Sequence, residues 1–208
     1  MNINDPEPAE ERAFDYARTV SLSDCVFSIA MTLLVLNITV PHLTPSHTGD
    51  LGSRLIKEHQ QFEAYALSFA VISLLWVRHH ALFRGLDRID GRIAALNLVY
   101  LGFVAFLPFP TRVLATYTSE PATVILYAGT GVILTSIAGI LREHAMRAHL
   151  LSAYGRREYA RREHWAIAPL IFLASIGIAF VSPRVAAYSW LLLLLVPRAR
   201  RLRPHGAG

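Results

Sequence analysis

The stretch Ala17–Pro41, ARTVSLSDCVFSIAMTLLVLNITVP, decides what kind of fold this chain adopts. From Cys25 to Val40 it is almost wholly apolar, and Arg18, Ser21, Ser23 and Asp24 stand directly at its entrance. An ionisable group at the mouth of a membrane-length helix is costly, so it marks a place with a structural or functional reason. The rest of the chain reads as scaffold built around this segment.

Composition agrees with a membrane setting. Of 208 residues, 53% are hydrophobic and only 17% charged, and several apolar runs approach twenty residues. Mean hydropathy is +0.38. These values describe an all-α integral membrane protein rather than a soluble domain. The pI of about 9.7 does not point to nucleic acid, because the basic residues cluster between apolar runs, as in cytoplasmic loops. The single cysteine, Cys25, excludes an intrachain disulfide and any multi-cysteine metal site. Met1–Asp15 lacks the basic start and small-residue cleavage site of a signal peptide, so the first apolar run is expected to stay as a transmembrane helix.

Hydropathy predicts six spans. After the first helix, which Pro41 and Pro45 end, come a loop over Leu43–Gln61 and spans over Phe62–Phe83, Ile93–Phe109, Ala122–Leu141, Trp165–Val181 and Val185–Val196. The third is expected to stop at the Pro108-Phe109-Pro110 punctuation. A basic segment, Arg142–His164, separates the fourth and fifth. With the N-terminus inside, sixteen cationic residues fall on the inside and four (Arg54, Lys57, Arg112 and Arg184) outside. That asymmetry predicts both termini cytoplasmic. The expected organisation is a tail over 1–17, a six-helix transmembrane domain over 18–198 and a basic tail over 199–208.

At 100° per residue, Ile29, Thr32 and Leu36 share one face of the first helix and span about 10 Å of height. Cys25 and Val40 extend that face. Beside it lies a polar strip of Ser21, Asp24, Ser28, Thr32 and Thr39. A lipid-facing helix has no use for such a strip, which should face helices or water. Two plainer readings compete. Ser21-x-x-Asp24 has the pattern of a helix-capping box, and serines and threonines in membrane helices commonly serve close packing or bond back to their own helix. Arg18 and Asp24 are six apart, which is not a same-face spacing, so other helices must supply their partners. Trp76, Arg78, His79 and His80, at the end of the second span, lie at the matching depth.

The run Arg18-x-x-x-Leu22-Ser23-Asp24, leading straight into VFSIAMTLLVL, resembles the Arg-x-x-x-Phe-Ser-Asp signature of the transmembrane-protein-175 family of potassium channels. LLWVRHHALFR (74–84) and LNLVYLGFVAFLPFPTRVL (96–114) are similar to that family in the same order. The resemblance covers Arg18–Leu114. It implies a homotetramer of six-helix subunits in the bilayer of a prokaryotic cell membrane, with the first helices lining a potassium pore and no cofactor. It implies that Ile29 forms the narrow ring, with Thr32 and Leu36 deeper, and that Arg18, Asp24, Trp76 and His79 form a structural network at the cytoplasmic mouth. It favours His79 over His80. Leu22 departs from the family, which has phenylalanine there. An apolar ring would close the path by dewetting and select potassium over sodium only modestly.

Two rivals are an intramembrane enzyme or lipid-binding protein using Asp24 with His79 and His80, and a small transporter. No internal repeat and no Gly/Pro break in the first helix support the latter. No nucleophile-elbow, Walker or HExxH pattern is present. His144 and His149, five apart, do not share a face as metal ligands would and read as solvated loop or interface residues. Gly129, Gly131 and Gly139 suggest close helix contact.

Overall fold

The computed structural model describes residues 9–39, 52, 56, 58–160 and 166–194. Pro41, Pro45, most of the expected 43–61 loop, Arg161, Arg162, His164 and the 199–208 tail lie outside the described residues.

The first helix, α1, runs Ala9–Leu33 and finishes as a 3-10 turn over Leu34–Asn37. It begins well before Ser21, because AEERAFDYAR supplies residues of good helical propensity. Ser21 is therefore mid-helix and caps nothing, and the expected 17/18 boundary falls inside α1. Then follow α2 (His59–Arg84), α3 (Gly91–Phe106), α4 (Pro108–Thr116) and α5 (Pro121–Arg147). A short α6 (Ala153–Ala160) precedes α7 (Ile167–Ala179) and α8 (Pro183–Tyr188), which continues as a 3-10 helix over Ser189–Leu194.

Among the described residues, four segments are long and apolar enough to cross a bilayer: Ala13–Asn37, His59–Arg84, Gly91–Thr116 and Pro121–Arg147. In the third, α3 ends just before the Pro108-Phe109-Pro110 punctuation, as expected, but α4 carries the apolar segment on to Thr116. Pro108 takes the first position of α4, where an N–H would lack a helical partner anyway, so its missing donor is harmless. Leu107 bridges the junction, its N–H on Val104 O (3.1 Å) and its carbonyl accepting from Thr111 N (3.2 Å). The fourth segment runs past Leu141 to Arg147, so the start of the basic segment is helical. The thirteen residues of α7 give about 20 Å at 1.5 Å per residue, short of a ~30 Å hydrocarbon core.

The core is sealed by close aromatic packing. Gly131 on α5 leaves room for Phe172 of α7; a Cβ there would lie 2.6–2.7 Å from three ring atoms. Trp190 stacks on Tyr127 at 4.3 Å and donates to Ser175 Oγ (2.9 Å). All four of these large or polar side chains are fully buried.

At one end of the bundle, the α2–α3 connection is zipped to the α5–α6 connection. Asp87 N donates to Leu150 O (2.8 Å) and Ser152 N to Gly85 O (3.0 Å), around an isolated antiparallel bridge between Leu86 and Leu151. Gly155 packs so closely on Gly85 that any Cβ would fall on the Gly85 carbonyl. Tyr159 Oη donates to Leu82 O (3.1 Å), and His144 Nε2 lies 2.7 Å from Asp90 Oδ2. His144 is thus half-buried in α5 and tied to α3, not a solvated loop residue. Asp90 caps α3 by accepting from Ile93 N (2.7 Å). Burial pushes the Asp90 carboxyl up, but the hydrogen bonds from Ile93 N–H and His144 outweigh it, holding its pKa below the ordinary 3.8.

Candidate functional site

The first helix has two unlike faces. Ser23, Phe27, Ala30 and Leu34, spaced i, i+4, i+7, i+11, are at most 1% exposed and pack against α2, α3 and α4. Ile29 is 57% and Leu36 72% exposed, and Leu22, Leu33, Val35, Ser28 and Thr32 are exposed with them. Only 22% of the apolar stretch of α1 is buried within the chain, against 39–50% for the other three long segments. The helix at the heart of the sequence reading is the least covered by its own chain.

Thr32 Oγ1 donates to Ile29 O (2.9 Å). With its proton used there, the hydroxyl oxygen keeps its lone pairs for whatever lies beside the exposed face. Such an oxygen suits a cation or a water hydrating one.

The buried face carries a polar chain that ties α1 to its neighbours. Trp76 Nε1 on α2 donates to Asp24 Oδ1 (2.9 Å). Asn97 Nδ2 on α3 donates to Ser23 Oγ (3.1 Å), and Ser23 Oγ donates in turn to Thr19 O (2.8 Å). Asn97 Oδ1 lies 2.8 Å from His79 Nε2. Since the Asn97 amide nitrogen faces Ser23, its oxygen is the acceptor, and His79 carries its proton on Nε2. The His79 ring is held between Phe83 (4.4 Å between centroids) and Tyr100 (5.2 Å), with Phe27 tilted against it. His80 instead lies beside Trp76, at 5.5 Å.

Ser21 and Ser28 of the polar strip are exposed, and Ser23 is the buried serine of this stretch. At 100° per residue Ser23 lies about 200° from Ser21, on the opposite side of the helix. Arg18 is also exposed, with its guanidinium 5.5 Å from the Phe14 ring, and it is not among the described ion pairs. Leu22 lies outside the core, 45% exposed. Among the described residues no group of three or more His, Cys, Asp or Glu could hold a metal ion.

Asn97 is the member of this chain that sequence reasoning did not single out. It is the one strongly polar side chain between Ile93 and Leu107, and an amide amid apolar helix needs a partner. That isolation was its available signal. At the far end of α1, Asn37 Nδ2 donates to Pro108 O (3.0 Å), at the α3–α4 junction.

Comparison with known proteins places this arrangement. The family model described as the endosomal/lysosomal potassium channel TMEM175 matches residues 18–108. A protein of Streptomyces collinus named as a potassium channel is 35% identical over 185 residues, covering 85% of this chain and 89% of that protein. A potassium channel of Chamaesiphon minutus is 33% identical over 186 residues, covering 86% and 89%. The crystal structure of a lysosomal potassium-selective channel TMEM175 homolog from Chamaesiphon minutus superposes with a TM-score of 0.74 at 29% identity, over 88% of this chain and 96% of that one.

Proposed function

Because this chain belongs to the TMEM175 family of ion channels, we propose that it is a potassium channel whose ion path is lined by the exposed face of α1. The observation that carries the reading is the bare face of that helix. It is apolar at Ile29, Leu33 and Leu36 yet interrupted by Ser28 and Thr32, a mixture suited to intermittent water rather than to lipid alone. Four subunits, each crossing the membrane six times with both termini cytoplasmic, would bring four such faces to one axis. In that arrangement α7 and the α8 segment complete the six spans, at the edge of the length a bilayer needs.

Ile29 then makes the constriction. A ring of four branched apolar side chains loses its water when narrow and rewets on modest widening. Selection of potassium over sodium is modest, because such a ring offers no oxygens to replace a hydration shell and potassium simply sheds water more readily. Thr32, its hydroxyl proton already engaged, presents an oxygen beyond the ring. The Asp24–Trp76 and Ser23–Asn97–His79 contacts hold the helix at its angle and touch no ion. The family and its structural neighbours are ion channels, not enzymes, and Asp24 and His79 work as fasteners rather than as a catalytic pair. The setting is a cell membrane, with K+ as permeant ion and no cofactor.

Potassium flux into liposomes holding the purified protein tests this directly. Ile29→Asn is expected to raise flux, and Thr32→Ala to lower the K+/Na+ ratio with flux retained. Unchanged flux and unchanged ratio in both variants would remove α1 from the ion path. A monomer by native mass spectrometry in mild detergent would remove the tetramer.

A further inference from the structure

We propose that the zipped connections at the α2–α3 and α5–α6 end of the bundle form a docking surface for the headgroups of anionic phospholipids. Segments 84–92 and 142–157 together carry a formal charge of +4. Six arginines there are exposed, and three of them are already engaged. Arg84 sits over the Tyr154 ring (6.0 Å), Arg147 pairs with Glu143 (2.8 Å) and Arg156 donates to Leu151 O (2.7 Å). The side chains of Arg88, Arg92 and Arg157 make no hydrogen bond or ion pair among the described residues, and they project from a rigid frame. The acids nearby are largely spent: Asp90 is held by Ile93 N–H and His144, and Glu143 by Arg147, while Asp87 is exposed.

Depth favours lipid over a soluble anion. This is where α2 ends, α3 begins and α5 ends. Helices of 26–27 residues reach about 40 Å, past a ~30 Å hydrocarbon core, so their ends stand at headgroup level. Tyr154, 43% exposed in contact with Arg84, and Ile140, 48% exposed one turn inside Glu143, add aromatic and apolar surface beside the arginines. An aromatic ring beside arginines is the pattern of an interfacial anchor, and arginines at headgroup level attract anionic headgroups. The frame matters too, because the Gly85–Gly155 contact fixes the two connections, so that binding orders only the arginine side chains and not the backbone that carries them.

The test uses the full chain in vesicles of phosphatidylcholine and phosphatidylglycerol, released into native mass spectrometry to count retained lipids. Wild type should retain phosphatidylglycerol over phosphatidylcholine by roughly fivefold or more, given the attraction of several arginines. The triple variant Arg88→Gln/Arg92→Gln/Arg157→Gln should fall toward parity. Arg112→Gln/Arg184→Gln, at the opposite end, should match wild type. Parity in wild type, full retention in the triple variant, or an equal loss in the opposite-end variant would overturn the assignment. So would displacement of the lipid by soluble glycerol phosphate, which would make the site one for a free anion. Melting in neutral detergent checks the fold of the triple variant; if it is destabilised, the single variants are read, and no drop in any of them counts against the proposal. The readout does not depend on ion conduction, so it can fail while the channel reading stands, and the reverse.

Discussion

Removing the Asn97 side chain unlinks α3 from α1 and from α2 at once. Asn97→Ala breaks the bond to His79 (2.8 Å) and the bond to Ser23 (3.1 Å), in a position 1% exposed. Each lost bond is worth about 1 kcal/mol net, and a buried donor left without a partner adds about 1–3 kcal/mol. His79 bears that second loss, because its Nε2–H has Phe83, Tyr100 and Phe27 around it. Ser23 does not, since it keeps Thr19 O. The sum is about 3–5 kcal/mol, which for a chain of this size lowers apparent Tm by roughly 6–20 °C. Tryptophan fluorescence during heating in mild detergent reads it. Asn97→Leu fills the volume without restoring the bonds and should recover only the cavity part. Asn97→Leu with His79→Phe removes both partners and should recover most of the loss, because no orphan donor remains. An Asn97→Leu protein melting within about 2 °C of wild type would show that these bonds contribute little. A double variant no better than Asn97→Leu would show that the imidazole is not where the loss falls.

Three further expectations follow from the packing and the charge pairs. Gly131→Ala drives a methyl to 2.6–2.7 Å from the Phe172 ring, which Trp190 prevents from swinging aside, so it should destabilise by about 1–3 kcal/mol; Phe172→Leu in the same chain should restore most of the melting temperature. Gly155→Ala should part the two zipped connections, read as faster hydrogen exchange at the Asp87 and Ser152 amides while exchange in the middle of α5 stays slow. The lowered Asp90 pKa gives stability that is complete above the ordinary aspartate value of 3.8 and lost as pH falls through the folded-state value; Asp90→Asn should therefore lessen the drop in apparent Tm on acidification to that range.

How much of this was legible beforehand differs from residue to residue. The apolar runs set the four long helices, since hydropathy is local and helices longer than a bilayer leave few alternatives. Asp24 needed a partner from another helix, and Trp76 supplies one at the depth counted along the second span. Which serine faces inward was not legible, because a wheel gives relative angles and only packing fixes the origin. The Pro108–Pro110 pair marked the end of α3 but not of the apolar segment, because proline stops a helix in its interior but is welcome in the first turn of the next. The Asp90–His144 contact joins residues 54 apart on different helices, and no pattern of spacing announces it.

The two polar tethers of α1 have a mechanical consequence. Ser23 is held by Asn97, and Asn37 by the carbonyl of Pro108. The anchor points are fourteen residues apart, roughly 20 Å along the axis, and both belong to the single span Gly91–Thr116. A rod pinned at its middle and at one end to one beam can neither slide along it nor pivot about either pin without breaking the other. Within the chain, α1, α3 and α4 must therefore move together as a plank. In the channel proposed above, the ring at Ile29 would then open by the parting of whole subunits rather than by the bending of one helix.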